Sequence, residues 1–433
     1  MTLLRHHDFR LLWTTQTLGQ FGAHFSRVGL PLVAILALDA TAFEAGLLAT
    51  FQTVAFLVVG LPAGAWVDRR RKRPVMIVAN LGRGLLLAWV PVAAYLGVLS
   101  LTQLYVVALG VSVGTLLFET AYVSYLPLLL ERGQLVEGNA KLESTRSVAQ
   151  IGGPTLGGYL IQWLGAPLAV LTVAGGYLTS AVVLCRIRMR ESVPARGTDR
   201  HLVREIRQGL SFVFGHRSLR ALAVSGALFN LGVFVTGTAV VVLLAQQLRI
   251  APGTVGLWFA VGGLGGLVGA FLVRRVSARI GPGPAVWVGM AVAGVSGLVV
   301  PLADADWRLW LAGAGNALVS TGLVINNVNS MAIRQQLCPQ ELQGRMNATI
   351  RFLIFGAMPI GSFLGGFLGE RVGLREALWV GAGLSLVAVL PVYFSPLRTM
   401  RGDPGDDDPG TDRSSTRPGR RERRRDPDGV GSR

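Results

Sequence analysis

Gly64-Ala65-Trp66-Val67-Asp68-Arg69-Arg70-Arg71-Lys72-Arg73 sets five consecutive cations directly after a carboxylate, in a stretch too short to fold alone. On either side, at 43–67 and 75–97, the chain is predominantly apolar. Each flank is long enough to cross a hydrocarbon core of about 30 Å as a helix. A basic loop between two such helices marks the cytoplasmic side of a membrane, because arginine and lysine are retained there.

Outward from this loop the same unit repeats along the chain. Twelve apolar spans are expected, near 9–37, 43–67, 75–97, 101–126, 138–163, 166–187, 219–245, 252–274, 283–303, 308–333, 344–369 and 373–397. The fifth and eleventh are the least hydrophobic. Of the 433 residues 51% are apolar and only 15% charged, against roughly a quarter charged in soluble domains. Arg5, Arg10, Arg69 to Arg73, Arg132, Arg186 to Arg220, Arg274, Arg275, Arg279 and Arg334 fall on one face. Asp39, Glu44, Arg249, Asp304, Asp306 and Arg308 fall on the other, with a mixed group at Glu370, Arg371, Arg375 and Glu376. Both termini are therefore expected in the cytoplasm, which requires an even number of spans. The first span follows the basic segment Met1 to Arg10 and is expected to act as its own insertion signal. The net charge of +17 resides in short loops and the tail rather than on a folded basic domain, so no nucleic-acid partner is expected. Cys185 and Cys338, the only cysteines, both lie near cytoplasmic helix ends, where thiols stay reduced.

The longest internal connection divides the chain into a bundle at 1–187, a linker at 188–217, a second bundle at 218–397 and a polar tail at 398–433. The linker contains an amphipathic stretch from Arg200 to Phe214 suited to a membrane surface. The tail, rich in Pro, Gly, Asp and Arg, has no material for a core and is expected to be disordered. The halves echo each other. Gly64, Arg69-Arg70, Arg146 and Pro154 recur 205 residues later as Gly269, Arg274-Arg275, Arg351 and Pro359. Asn139-Ala140 and Gly157-Gly158 recur 208 residues later as Asn347-Ala348 and Gly365-Gly366. Repeated halves of this kind build transporters.

Gly64, Asp68, Arg69, Lys72 and Arg73 match the pattern G-x-x-x-D-R-x-G-R-R/K, with Arg71 in place of the second glycine. By this loop the chain resembles the major facilitator superfamily: an all-α membrane fold of twelve helices in two pseudo-symmetric six-helix bundles. The resemblance implies that Gly64, Asp68, Arg69, Lys72 and Arg73 gate a rocking motion. Gly64 is expected to pack closely against a neighbouring helix. In the fifth span, Gly153-Pro154-Thr155-Leu156-Gly157-Gly158 is similar to the G-P-x-x-G-G motif of exporters and antiporters in that superfamily, with Ala149 where a leading glycine would stand. Pro154 removes a backbone donor and bends the helix, while the glycines admit a close neighbour. The stretch from Asn329 to Gly369, including Arg345, Asn347, Arg351, Pro359 and Gly365-Gly366, resembles the macrolide-efflux and siderophore-exporter branch.

Charged groups within spans cost on the order of 2.5–3.5 kcal/mol at mid-membrane on the insertion scale, so they tend to face a cavity. Gln16, Gln20, His24 and Arg27 form one helical stripe in the first span. Ser112, Thr115, Glu119 and Tyr122 do so in the fourth, and Asn316, Ser320 and Asn327 in the tenth; Asn230 is the polar residue of the seventh. The resemblance implies that spans one, four, seven and ten line the central cavity, making these the candidate substrate contacts. Arg27 has Glu44 or Glu119 as possible ion-pair partners. Glu119 and His24 are candidate proton carriers, the first because burial raises a carboxylate's pKa and the second because imidazole titrates near neutrality. Arg83 and the group Lys141, Glu143, Arg146 are expected to form a cytoplasmic gate network.

The chain contains no P-loop, no G-x-S-x-G turn and no H-E-x-x-H. It is expected to be no enzyme and to need no cofactor or metal. The expected function is secondary export of a small amphiphilic compound such as a drug, antibiotic or siderophore, by alternating access and with proton antiport as a possible coupling. The partners would be membrane lipid, the substrate and protons, and the protein would act as a monomer in the cell membrane. An importer or lysolipid flippase of the same fold, and a non-transporting membrane sensor or scaffold, stand as alternatives.

Overall fold

The computed structural model describes residue 3 and residues 6–131, 134–189, 191 and 202–400. Arg5, Arg132, most of the linker, the tail from 401 onward and the side chain of Asp68 lie outside the described set. All described regular structure is helical: α1 (His7–Leu38), α2 (Ala42–Phe51), α3 (Val54–Val58), α4 (Gly60–Asp68), α5 (Lys72–Tyr95), α6 (Leu101–Leu129), α7 (Leu135–Leu164) and α8 (Ala166–Cys185) in the first half. Then come α9 (Leu202–Gly215), α10 (Arg217–Val242), α11 (Pro252–Ile280), α12 (Pro282–Gly297), α13 (Arg308–Leu337), α14 (Gln340–Arg371), α15 (Leu374–Val387) and α16 (Val389–Tyr393).

Ten described helices are long and apolar enough to cross a membrane. Two expected spans depart from that standard. The second is broken into α2, α3 and α4. Near the first break Thr53 Oγ1 turns back onto the Ala49 and Thr50 carbonyls, and Gln52 reaches across to the Ser26 carbonyl at 3.0 Å. Just past the second, in the first turn of α4, Pro62 cannot donate to the carbonyl of Val58. The fifth expected span, α7, is a single helix of 30 residues, but Glu137, Lys141, Glu143 and Arg146 dilute its first half.

Connections between helices are short. Gly165, at φ 81°, and Gly281, at φ 90°, each end one helix and begin the next. That left-handed backbone is open to glycine at little cost. Gly373, at φ 127°, starts α15 and stands 208 residues after Gly165, extending the internal echo to the turns.

Packing repeats with the same order in each half. α1 packs on α7 and α8, α5 on α6 and α8, and α2 on α6; α10 packs on α14 and α15, α12 on α13 and α15, and α11 on α13. The halves meet where α7 lies along α11 and α2 along α14. The linker helix α9 corrects one expectation: it seats on α14 rather than resting on the membrane surface alone. Val213 is fully buried in a cluster with Cys338, Met346 and Ile350, and Arg345 donates to Gln208 at 2.7 Å.

Candidate functional site

The glycines of α7 face two ways. A Cβ on Gly153 would stand 2.6 Å from the His24 Cβ, and one on Gly157 would stand 2.6 Å from the Phe25 ring, so both are pressed against α1. Gly158 faces the other half, where its Cβ would come within 3.1 Å of the Gly256 Cα on α11. Pro154 presents its carbonyl to Gly256 as well. The second copy does the same: Gly361 and Gly365 press on α10, while a Cβ on Gly366 would stand 2.7 Å from the Gly46 Cα on α2. Two glycine-on-glycine crossings thus join the halves. Gly46, Gly256 and Gly361 were not singled out from sequence, although Gly361 follows Gly153 by the same 208 residues.

Polar and aromatic contacts reinforce these crossings toward the end that carries Asp39 and Asp304. Gly253 N–H donates to Gln162 Oε1 at 3.1 Å, Phe43 N–H to Glu370 Oε2 at 3.4 Å, and Gln246 Nε2 to the Ala40 carbonyl at 2.5 Å. Phe43 meets Phe363 edge-on, with centroids 5.7 Å apart. Glu44 is spent locally: it closes a capping box with Thr41 at the start of α2. It therefore does not pair with Arg27, contrary to one of the two expected pairings.

At the arginine-rich end the bonds stay within each half. Glu191 accepts from the Lys72 and Arg73 backbone N–H groups at 2.5 and 2.6 Å, capping α5. Arg73 donates to the Leu184 and Cys185 carbonyls at the end of α8, at 3.0 and 2.6 Å. Asp8 accepts from the Arg188 and Met189 N–H groups at 3.2 and 2.9 Å. Arg69 is exposed and Lys72 buried. Gly64 departs from expectation, since a Cβ there would meet no described atom within 4 Å. Lys141 pairs with Glu137 at 3.6 Å and Arg146 with Glu143 at 3.9 Å, both along α7 itself. No ion pair among the described residues crosses between the halves at this end.

Between the two ends lies a charged cluster. Arg27 is solvent-exposed, and Arg146 and Glu119 lie near enough for their charges to act on it. Glu119 on α6 is exposed too, and makes no hydrogen bond or ion pair among the described residues. Its charge reaches Arg27, Arg83, Tyr122 and Tyr177, and that of Arg146 reaches both His24 and Arg27. Gln20 and His24 are half-buried on the same face of α1, while Gln16 is buried. On α6, Ser112 and Tyr122 are buried, and Thr115 accepts from Arg83 at 3.3 Å, so these three serve packing in this state. On α13, Asn316 leans on Gly262 of α11, Ser320 is half-buried and Asn327 exposed. Asn230 on α10 donates to the Gly226 carbonyl at 3.0 Å. Arg351 on α14 is exposed and lies over the Phe355 ring at 5.3 Å.

Arg83 belongs to a buried ladder. It donates to Asn80, whose amide donates to Ser180 Oγ at 2.6 Å, and Ser180 in turn donates to the Thr15 carbonyl at 3.3 Å. Its guanidinium also lies over the rings of Tyr177 at 4.3 Å and Phe118 at 4.8 Å. The ladder ties α1, α5, α6 and α8 together.

The transmembrane secretion effector family model matches residues 1–410. The chain belongs to that family. Over 388 residues it is 26% identical to the multidrug efflux pump Tap of Mycolicibacterium fortuitum, spanning 86% of this chain and 93% of that one. Over 419 residues it is 25% identical to the enterobactin exporter EntS of Salmonella typhi, spanning 95% and 98%. A crystal structure of a bacterial homologue of the iron transporter ferroportin in its inward-facing state superposes with a TM-score of 0.72 at 17% identity, covering 90% of this chain and 98% of that one. This likeness concerns the fold. The family member is a multi-pass membrane transporter of the major facilitator type for small molecules, and not an enzyme.

Proposed function

We propose that this chain exports a small amphiphilic compound from the cytoplasm or inner leaflet by alternating access, in the cell membrane and as a monomer. The observation that carries the proposal is the asymmetry of closure. Two glycine crossings and three hydrogen bonds join the halves toward the acid-bearing end, whereas no described ion pair bridges them at the arginine end. By the positive-inside rule this is the state open to the cytoplasm, ready to load an exported substrate. The two bundles, 1–187 and 218–397, would rock about these crossings, with Gly153, Pro154, Gly157 and Gly158 and the loop from Gly64 to Arg73 changing contacts. Outward transport is supported by the exporter names borne by Tap and EntS.

Within the cavity, Gln20, His24, Arg27, Asn316, Ser320 and Asn327 would contact substrate. Glu119, unpaired and wet, would carry the counter-transported proton. Expression in an efflux-deficient host, assayed with dyes, antibiotics and catecholate compounds with and without an uncoupler, tests the proposal. Lower accumulation of at least one compound, reversed by the uncoupler, is expected; unchanged accumulation of all of them refutes export of those classes.

A further inference from the structure

A second feature lies away from the central cavity. Between α5 and α6, beneath the end of α4, runs a trough of about 590 Å³. At roughly 30 Å³ per water it has room for on the order of twenty water molecules, or one long alkyl chain. Its walls are small and apolar because two helical faces meet there: Val78 and Gly82 on α5, Gly110 and Val113 on α6. A Cβ on Gly82 would meet nothing within 4 Å, so that glycine leaves space unfilled. Val78 at the mouth is 68% exposed, and Leu81 and Leu85 on the same helix are also exposed, so the trough opens toward lipid rather than toward the cavity.

Its two ends differ in chemistry. Arg69, Arg70 and Arg71 line the loop end, all exposed. Arg70 stacks over the Trp66 ring at 5.5 Å, and Arg69 and Arg71 have no ion-pair partner among the described residues. Glu191 is occupied at the start of α5. Toward the interior the trough is lined by Arg83, only 2% exposed, whose Nε has no acceptor. A cavity with a cationic mouth, an apolar length and an unsatisfied buried donor suits an amphiphile with an anionic head and oxygens below it.

We propose that this trough is a binding site for an anionic phospholipid of the cytoplasmic leaflet, its phosphate held by Arg69, Arg70 and Arg71 and one acyl chain lying along Gly82 and Gly110. Occupancy would hold the α4–α5 loop against α5 and α6. The site is separate from the export cavity and does not depend on the identity of the exported compound.

The test is native mass spectrometry of the full chain titrated with phosphatidylglycerol, phosphatidylethanolamine or phosphatidylcholine. Phosphatidylglycerol should be retained over both zwitterionic lipids. With each arginine worth about fivefold at a membrane surface, the triple change Arg69→Gln, Arg70→Gln, Arg71→Gln should remove that preference. Gly82→Leu fills the trough without touching the charges and should weaken binding of phosphatidylglycerol severalfold. A phosphatidylglycerol with a photoactivatable acyl chain should label peptides at 74–86 and 110–117 of the unmodified protein, which keeps the test independent of variant folding. Equal retention of zwitterionic lipid, undiminished binding by both variants, or label spread evenly over all lipid-facing helices would overturn the proposal.

Discussion

Two side chains, Glu119 and Asn80, decide more than their neighbours. Glu119 is exposed and makes no ion pair or hydrogen bond among the described residues, while its charge reaches Arg27 and Arg83. Glu119→Gln should abolish uncoupler-sensitive export and spare counterflow, measured in proteoliposomes; full energised export by this variant would remove Glu119 from the coupling role. Asn80 joins Arg83 to Ser180 inside the first half. Asn80→Ala leaves a buried guanidinium donor and the Ser180 hydroxyl short of partners, a loss of about 1–3 kcal/mol. A lower melting temperature in detergent would register it, with Asn80→Asp recovering part of the loss by accepting from Arg83.

The elements act through close approach. α14 touches α2 at Gly366 and Gly46 and touches α10 at Gly361 and Gly365, so one helix is packed on two sides by residues without side chains. Gly366→Leu cannot fit while the halves are joined and should push them apart at that end. Cysteines in place of Phe43 and Glu370, whose backbone and carboxylate lie 3.4 Å apart, should cross-link readily in the parent and several times more slowly with Gly366→Leu. An unchanged rate would mean that the crossing does not control closure. In the linker, α9 is pinned to α14 by Gln208 and Arg345, and the C-terminal bundle and linker therefore share a core.

For the whole molecule, the duplicated packing order and the offset of 208 from Gly153, Gly157, Gly158 and Gly165 to Gly361, Gly365, Gly366 and Gly373 describe one structural unit used twice. The packing of the second unit continues to Met400. Leu397 is fully buried and the Met400 carbonyl accepts from Gly283 at 3.2 Å. Truncation after Met400 should leave transport and melting temperature near the parent values. Truncation after Ser395 should lower the melting temperature by several degrees, on the scale of about 2–4 °C per kcal/mol for large domains. Loss of transport in the first truncation would favour a scaffold role for the tail.

The multi-span helical class, the repeated halves and the motif glycines were legible in the chain because each rests on a local quantity: length of apolar sequence, the spacing of like residues, or the presence of glycine. Which neighbour each glycine meets was not. Gly64 and Gly158 look alike in sequence, yet one faces open space and the other a backbone, since that depends on where a helix remote in the chain happens to cross. The polar stripes were similarly divided. Arg27 and Glu119 are exposed, but Ser112 and Gln16 are covered by adjacent helices. Helical periodicity states that residues share a face; only packing states whether that face meets water, lipid or protein. The loop from Gly64 to Arg73 shows both limits. Its charges announced the membrane boundary, but its partners, Glu191 and the end of α8, came from a segment more than a hundred residues away.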